Sequence, residues 1–348
     1  MVQGKIKTEN IVAALIFFFL FICPLFIDSY SVLNISYFLS MAFLSLSLTL
    51  IWGYCGIFSF GQAVFFGIGG YFYAVLTLNL TGTSAITPLG LLLGVILGGL
   101  AAWILGYFMF YGGVNDVFVG LITLCLTLVL STFMGQTAGS AWNIGQVSLG
   151  GFNGINGIPA LELGPISLSG NNFYYFVLII LFVIYCLLKL FTHSKVGAAI
   201  VAIRENRERT KMFGYNVPKI QSLVFAAGGA LASLSGILYA TWGNYITPSA
   251  FALSSATIPV VLVAAGGRKN FTASIIFTVL YYWFAQGLSA SGSQYALVIL
   301  GLILILVTLF VPDGIIVFLF HLSDRLFFHR ESKMKEVQEE HLHEKNIG

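Results

Sequence analysis

Across residues 8–188 there is not one lysine or arginine, and only 8% of all 348 residues are charged. Soluble domains carry about 25% charged residues. With 58% hydrophobic residues and a mean hydropathy of +0.94, the shortage excludes a soluble globular chain and leaves a membrane protein. The net charge of +3 sits in one central segment and at the two ends, so it reports orientation in a bilayer and not affinity for nucleic acid. Cysteine is scarce too. Cys23, Cys55, Cys125 and Cys186 stand alone in apolar surroundings without CxxC or Cys/His spacing, which excludes a disulfide framework and a cysteine metal site.

Further absences narrow the function. No Gly-x-x-x-x-Gly-Lys-[Ser/Thr] occurs, so the chain has no Walker loop for ATP. Asp28, Asp116, Glu162 and Asp313 fall at or beyond the ends of apolar runs. That leaves no Asp, Glu, Lys, Arg or His at the mid-bilayer depth where proton-coupled carriers place theirs. Neither a potassium-filter sequence nor an acidic ring motif is present. A path this poor in fixed charge suits a neutral or zwitterionic solute, and suits phosphate or metal ions poorly.

What is present is a series of apolar runs near the roughly 20 residues that span a bilayer. They predict helices over 9–28, 31–52, 56–79, 86–111, 117–136, 172–191, 219–241, 251–267, 271–288 and 294–312. The fold class is therefore all-α: a polytopic membrane bundle of about ten transmembrane helices, with broken or re-entrant segments. Lys5 and Lys7 ahead of the first run look like the start of a signal peptide, yet residues 11–27 are long enough to span and no A-x-A-like site follows. An uncleaved first helix is expected. Basic residues mark the cytoplasmic side of a membrane protein. In a ten-span chain Lys5/Lys7, the central basic cluster, Arg268/Lys269 and the tail all fall on that side, while the outer loops hold only Asp28 and Glu162. Both termini are thus expected to be cytoplasmic. Residues 1–320 read as one transmembrane domain, containing a cytoplasmic loop at 194–217 and followed by a charged cytoplasmic tail at 321–348.

Three stretches break the pattern. Residues 53–71 are hydrophobic but interrupted by glycine. Gly61, Gly67 and Gly69 either let helices pack closely or belong to a broken helix whose exposed backbone lines a path with Ser59 and Gln62. Residues 137–171, rich in Gly and Asn and including Asn153 and Asn156, form a long outer segment: a contact for an external partner, a gate, or a linker. The run at 251–267 is short for a span and contains Pro259, which either kinks a gate helix or is a tolerated membrane proline.

The central segment reads Ala202-Ile-Arg-Glu-Asn-Arg-Glu-Arg-Thr-Lys211. Ser194 suits a helix N-cap, Gly214 a left-handed C-terminal stop, and Pro218 the first turn of the next helix. A helix here would pair Arg204 with Glu208 and Glu205 with Arg209 at a spacing of four. Ala198, Ala199, Ala202 and Ile203 add a small apolar patch beside the charges. Two readings fit: insertion into a groove on a soluble partner, or a solvated loop whose charges only set orientation.

Five motifs in order resemble a known family. Ala202-Ile-Arg-Glu-Asn…Gly214-Tyr-Asn-Val217 is similar to the cytoplasmic coupling loop of permeases in the branched-chain amino acid class of ABC importers. Gly56-Ile-Phe-Ser-Phe-Gly-Gln-Ala-Val-Phe-Phe-Gly-Ile-Gly-Gly-Tyr71 resembles that family's Gly-x-x-Ser-x-Gly-Gln-Ala…Gly-Ile-Gly signature. Gly150-Gly-Phe-Asn-Gly-Ile-Asn-Gly-Ile-Pro159, Ile246-Thr-Pro-Ser-Ala-Phe251 and Gly266-Gly-Arg268 follow in the family's order. The likeness covers roughly residues 31–312 and is strongest to the M-type permease. Phe213-Gly-Tyr-Asn and Gly-Gly-Arg are also similar to the urea and short-amide subgroup. Where the family continues Gly-Gly-x-Gly-Thr, this chain has Gly267-Arg-Lys-Asn270.

The resemblance implies a subunit, not an enzyme, of a prokaryotic inner-membrane importer for branched-chain or other hydrophobic amino acids, with urea or a short amide as the alternative. It implies a second related permease, two ATPase subunits that bind ATP and Mg, and an extracytoplasmic binding protein, with no cofactor on this chain. Ala202, Arg204, Glu205, Asn206, Arg207 and Gly214 would then lie at the ATPase interface. From another class, an ATP-independent carrier or channel for neutral solutes is the competing reading.

Overall fold

A computed structural model describes residues 2–80, 85–164, 166–292, 295–311, 313–320 and 322–323. The tail expected at 321–348 lies outside the described residues apart from Leu322 and Ser323. Among the described residues, twelve α-helices carry the fold: α1 (Val2–Ile22), α2 (Ser29–Leu48), α3 (Gln62–Asn79), α4 (Ile86–Tyr111), α5 (Asp116–Gly135), α6 (Asn171–Thr192), α7 (Lys195–Glu205), α8 (Arg207–Met212), α9 (Val217–Gly243), α10 (Leu253–Gly266), α11 (Phe271–Ala290) and α12 (Ala296–Phe310).

All ten predicted runs are helical, most with ends within a few residues. The largest shifts are at α1, which begins earlier, and at α3, which begins at Gln62 and not at Gly56. Among the described residues, six segments are long and apolar enough to cross a membrane: Ser29–Tyr54, α4, α5, α6, α9 and α11. The first of these is α2 prolonged by a π-helical turn, Thr49–Tyr54. α10 is short, at 14 residues, as its sequence predicts.

The burial of these segments sorts axis from rim. Of the apolar windows, 83% is buried in Ser29–Tyr54 and 72% in α9, against 28% in each of α4, α5 and α6. Two helices therefore form the centre, and α4–α6 present Leu92, Phe108, Val129 and Ile179 outward, as lipid requires. α9 runs along α2, α3 and α4. Small residues permit that approach. A Cβ on Gly236 would lie 1.9 Å from the Phe66 carbonyl oxygen, and one on Gly228 would meet Ile51 at 2.2 Å.

α2 also carries a row of buried hydroxyls. Ser45 accepts from Thr278 and Thr49 donates to Ser274, both at 2.8 Å on α11, while Ser235 of α9 donates to the Ser40 carbonyl at 2.7 Å. Such bonds in membranes average about 0.6 kcal/mol each. Their main effect is to set the register of α9 and α11 against α2.

The two ends of the bundle differ in chemistry. One end gathers Glu9, Asp116, Lys189, Arg204, Arg207 and Arg268. The other is covered by the outer segment, which is ordered by three short antiparallel ladders: β1 (Asn143–Ile144) with β2 (Val147–Ser148), β3 (Ile155–Asn156) with β6 (Tyr245–Ile246), and β4 (Leu161–Leu163) with β5 (Ile166–Leu168). Polar residues at helix ends pin it down. Asn79 donates to the Ile144 carbonyl at 2.9 Å, Thr87 to the Glu162 carbonyl at 2.9 Å, and Asn244 to the Ile158 carbonyl at 2.9 Å.

Candidate functional site

The charged end is built around the turn from α6 into α7. Ser194 caps α7, its Oγ accepting from the Gly197 amide at 3.3 Å. Gly197 is required by contact: a Cβ there would sit 2.2 Å from the Thr192 carbonyl oxygen, so no larger residue lets α7 fold back on α6. α7 buries Ala199, Ile200 and Ile203, and exposes Ala198, Ala202 and Glu205. Gly214 has φ +84°, the left-handed stop expected of it, and Pro218 lies in the first turn of α9.

The expected i,i+4 pairs do not form. Asn206 has extended backbone, φ −159° and ψ 103°, and its Oδ1 accepts from the Arg209 amide at 2.8 Å, which caps α8 and splits the segment into two helices. Arg204 and Glu208 thus lie on different helices. Arg204 instead bonds Glu205 through Nη2 at 2.6 Å, and donates from Nη1 to the Gly53 carbonyl at 2.7 Å. Arg207 donates to Asp116 at the start of α5, at 2.6 Å. The Glu205 carboxyl is held below the usual carboxylate value, first by the Arg204 hydrogen bond and then by the Arg204 and Lys269 charges.

Two of the six residues expected at an ATPase interface therefore turn inward. Arg204 and Arg207 tie α7 and α8 to the bundle, whereas Ala202, Glu205, Asn206 and Gly214 are exposed, beside Met212 and Phe213 at 85% and 75% exposure. Neither Gly53 nor Asp116 was identifiable as a partner from sequence, being 151 and 91 residues away.

Gly53 opens the connection between α2 and α3. Residues 55–61 are non-helical, so the helical run is broken here, but they are buried or half-buried where the broken-helix reading expected exposed backbone. Their polar groups are satisfied from α5 and from within: the Phe60 amide donates to Thr123 Oγ1 at 3.1 Å, and the Gly61 amide to Ser59 Oγ at 3.0 Å. Gly56, at φ +80°, passes so close to Arg204 that a Cβ would meet its Cγ at 2.9 Å. The Gly53 position touches the α10–α11 turn as well, with a Cβ placed 1.7 Å from the Arg268 carbonyl oxygen.

The expected path residues divide. Ser59 and Gln62 are fully buried. Ser47 Oγ lies 2.9 Å from the Gln62 side-chain oxygen and 2.7 Å from the Gly228 carbonyl, and the amide nitrogen of Gln62 has no partner among the described residues. Gly67 and Gly69 are packing positions. A Cβ on either would meet Phe251 or Ser233 at 2.2 Å. Beside them, and missed in the sequence, is a cavity of about 140 Å³ whose wall includes Tyr37, Ala63, Phe66, Tyr239, Pro259 and Tyr282. In the outer segment Asn153 is exposed, and Asn156 pairs with Tyr245 across β3 and β6.

Among curated proteins, the chain is 25% identical over 318 residues, spanning 78% of this chain and 89% of the relative, to the probable branched-chain amino acid transport permease protein LivM of Methanocaldococcus jannaschii. It is 23% identical over 301 residues, 78% of this chain and 67% of the relative, to the high-affinity branched-chain amino acid transport system permease protein LivM of Escherichia coli. The ribose import permease protein RbsC of Escherichia coli is 27% identical over 253 residues, 67% of this chain and 74% of the relative. No solved structure matches. The family model described as branched-chain amino acid transport system / permease component matches residues 32–308, and the chain belongs to that family.

Proposed function

We propose that this permease is the membrane subunit of an ATP-driven importer for branched-chain or other hydrophobic amino acids, in a prokaryotic plasma membrane. It works with a second related permease, two ATPase subunits that hold ATP and Mg, and an extracytoplasmic binding protein. The charged end faces the cytoplasm, in keeping with the placement of basic residues in membrane proteins. Closure of the ATPases displaces α7 and α8, and the bundle alternates its opening.

The observation that carries this reading is the bond from Arg204 to the Gly53 carbonyl. The segment exposes small and polar residues for a partner, yet its arginine grips the turn where α2 ends. From there the chain enters α3 at Gln62, next to the buried polar groups of the core. A push on α7 therefore reaches the α2–α3 connection directly. The Ser59–Gln62 stretch, with Gly61, forms the inner part of the path, and Asn153 and Asn156 belong to the surface that receives the binding protein.

The test is reconstitution with the ATPase and binding-protein partners. Uptake of labelled leucine, isoleucine or valine should require ATP and exceed uptake of urea. Uptake that proceeds in vesicles containing this chain alone, without ATP, would replace the importer reading with a carrier or channel. Saturable, ATP-dependent urea uptake with no response to amino acids would reassign the solute.

A further inference from the structure

The cavity between α2, α3, α9, α10 and α11 has a chemistry of its own. Its apolar wall is formed by Met41, Leu44, Ala63, Phe66 and Ile258. Three of the hydroxyls nearby have partners within the protein: Ser255 donates to the Ser249 carbonyl at 2.7 Å, Ser249 bonds Thr247 at 2.6 Å, and Tyr239 donates to Tyr245 at 3.0 Å. No charged side chain among the described residues lines it.

One backbone acceptor is free of the helical ladder. Pro259 has no N–H, so the carbonyl of Ser255, four residues earlier, loses its donor within α10. Both residues line the cavity. The size also decides something. An apolar cavity of about 150 Å³ accommodates a benzene-sized group, so one of about 140 Å³ takes a branched four-carbon side chain and is nearly filled by a phenyl ring.

We propose that this cavity is a subsite within a single permease chain for the apolar side chain of the transported solute, with the Ser255 carbonyl available to its ammonium group. The assignment rests on the import reading above and adds a location to it. It also gives Pro259 a role, since a continuous helical ladder would occupy the Ser255 carbonyl.

The experiment measures relative uptake of phenylalanine and valine by the reconstituted full transporter, each solute delivered at saturation on the binding protein. Met41→Ala enlarges the cavity and should raise the phenylalanine-to-valine ratio about tenfold or more, the scale on which an apolar pocket discriminates a methylene group. Ala63→Leu fills it and should lower the ratio comparably. A ratio taken on one preparation is independent of how much protein folds. ATP-dependent uptake with both ratios within about twofold of the unmodified chain would overturn the subsite and leave the importer intact. Shifted ratios with uptake independent of ATP would keep the subsite and remove the importer reading. Should neither variant fold, a diazirine analogue of leucine on the unmodified transporter decides. Adducts on Met41 or Ile258 that excess leucine removes support the subsite, whereas adducts confined elsewhere, or formed there only by a photoreactive acyl lipid, overturn it.

Discussion

Arg204 donates to the Gly53 carbonyl at 2.7 Å with one edge of its guanidinium and holds Glu205 at 2.6 Å with another. Arginine suits this place because its planar fork serves two acceptors in fixed directions, which a lysine ammonium does not. Across that bond the exposed α7 face and the buried α2–α3 connection become one mechanical unit.

Separating docking from transmission follows from that geometry. Arg204→Ala should leave the ATPase subunits co-purifying while solute-stimulated ATP hydrolysis and uptake fall. Loss of a hydrogen bond from a charged group is worth about 1.5–3 kcal/mol, a fall of about ten- to a hundredfold. Ala202→Trp, on the exposed face, should instead abolish co-purification. If Arg204→Ala releases the ATPases, the inward role assigned to it is wrong.

The Arg207–Asp116 pair is partly exposed, at 29% and 53%. A coupling energy of about 0.2–1 kcal/mol is expected for it. Thermal unfolding of Arg207→Ala, Asp116→Ala and the double variant, combined as a cycle, measures the value. The exchanged pair, Arg207→Asp with Asp116→Arg, should recover most of what either single reversal loses.

Two glycine substitutions should differ in severity. At Gly236 a new Cβ meets the Phe66 backbone oxygen at 1.9 Å, whereas at Gly99 its nearest neighbour is the Ala230 Cβ at 3.2 Å. Gly236→Ala forces α9 and α3 apart and should lower stability by about 1–3 kcal/mol or more. Gly99→Ala should stay within about 1 kcal/mol. Melting temperatures of the two purified variants check the order.

Orientation is open to labelling. In a chain whose four cysteines are replaced, a cysteine at Met212 should react with a membrane-impermeant thiol reagent only from the cytoplasmic face, and one at Phe152 only from the other. Both positions are strongly exposed, Met212 at 85% and Phe152 at 83%. The reverse pattern would invert the topology and with it the import reading.

Much of the architecture is legible in the sequence. The ten apolar runs became helices, and Ser194, Gly214 and Pro218 acted at the ends of elements as their local chemistry requires. The short α10 was visible as a short run. The break before α3 was visible as a glycine-interrupted stretch, although its limit at Gln62 was not. The paired charges at 204–209 misled, because Asn206 prefers to cap α8 and its extended backbone ends the helix between them. The cavity was invisible, since Tyr37, Tyr239 and Pro259 come from three segments with no common motif.

The sequence by itself determined the solvent of each segment, the places where helices begin and end, and the concentration of charge at one end. Those properties add up along neighbouring residues, through transfer free energy and local hydrogen bonding. Only the tertiary structure decided which arginines face inward, that Gly67 and Gly69 serve packing, and where the core leaves space for a side chain. Those outcomes depend on contacts under 4 Å between residues far apart in the chain, and no local pattern encodes which of them will meet.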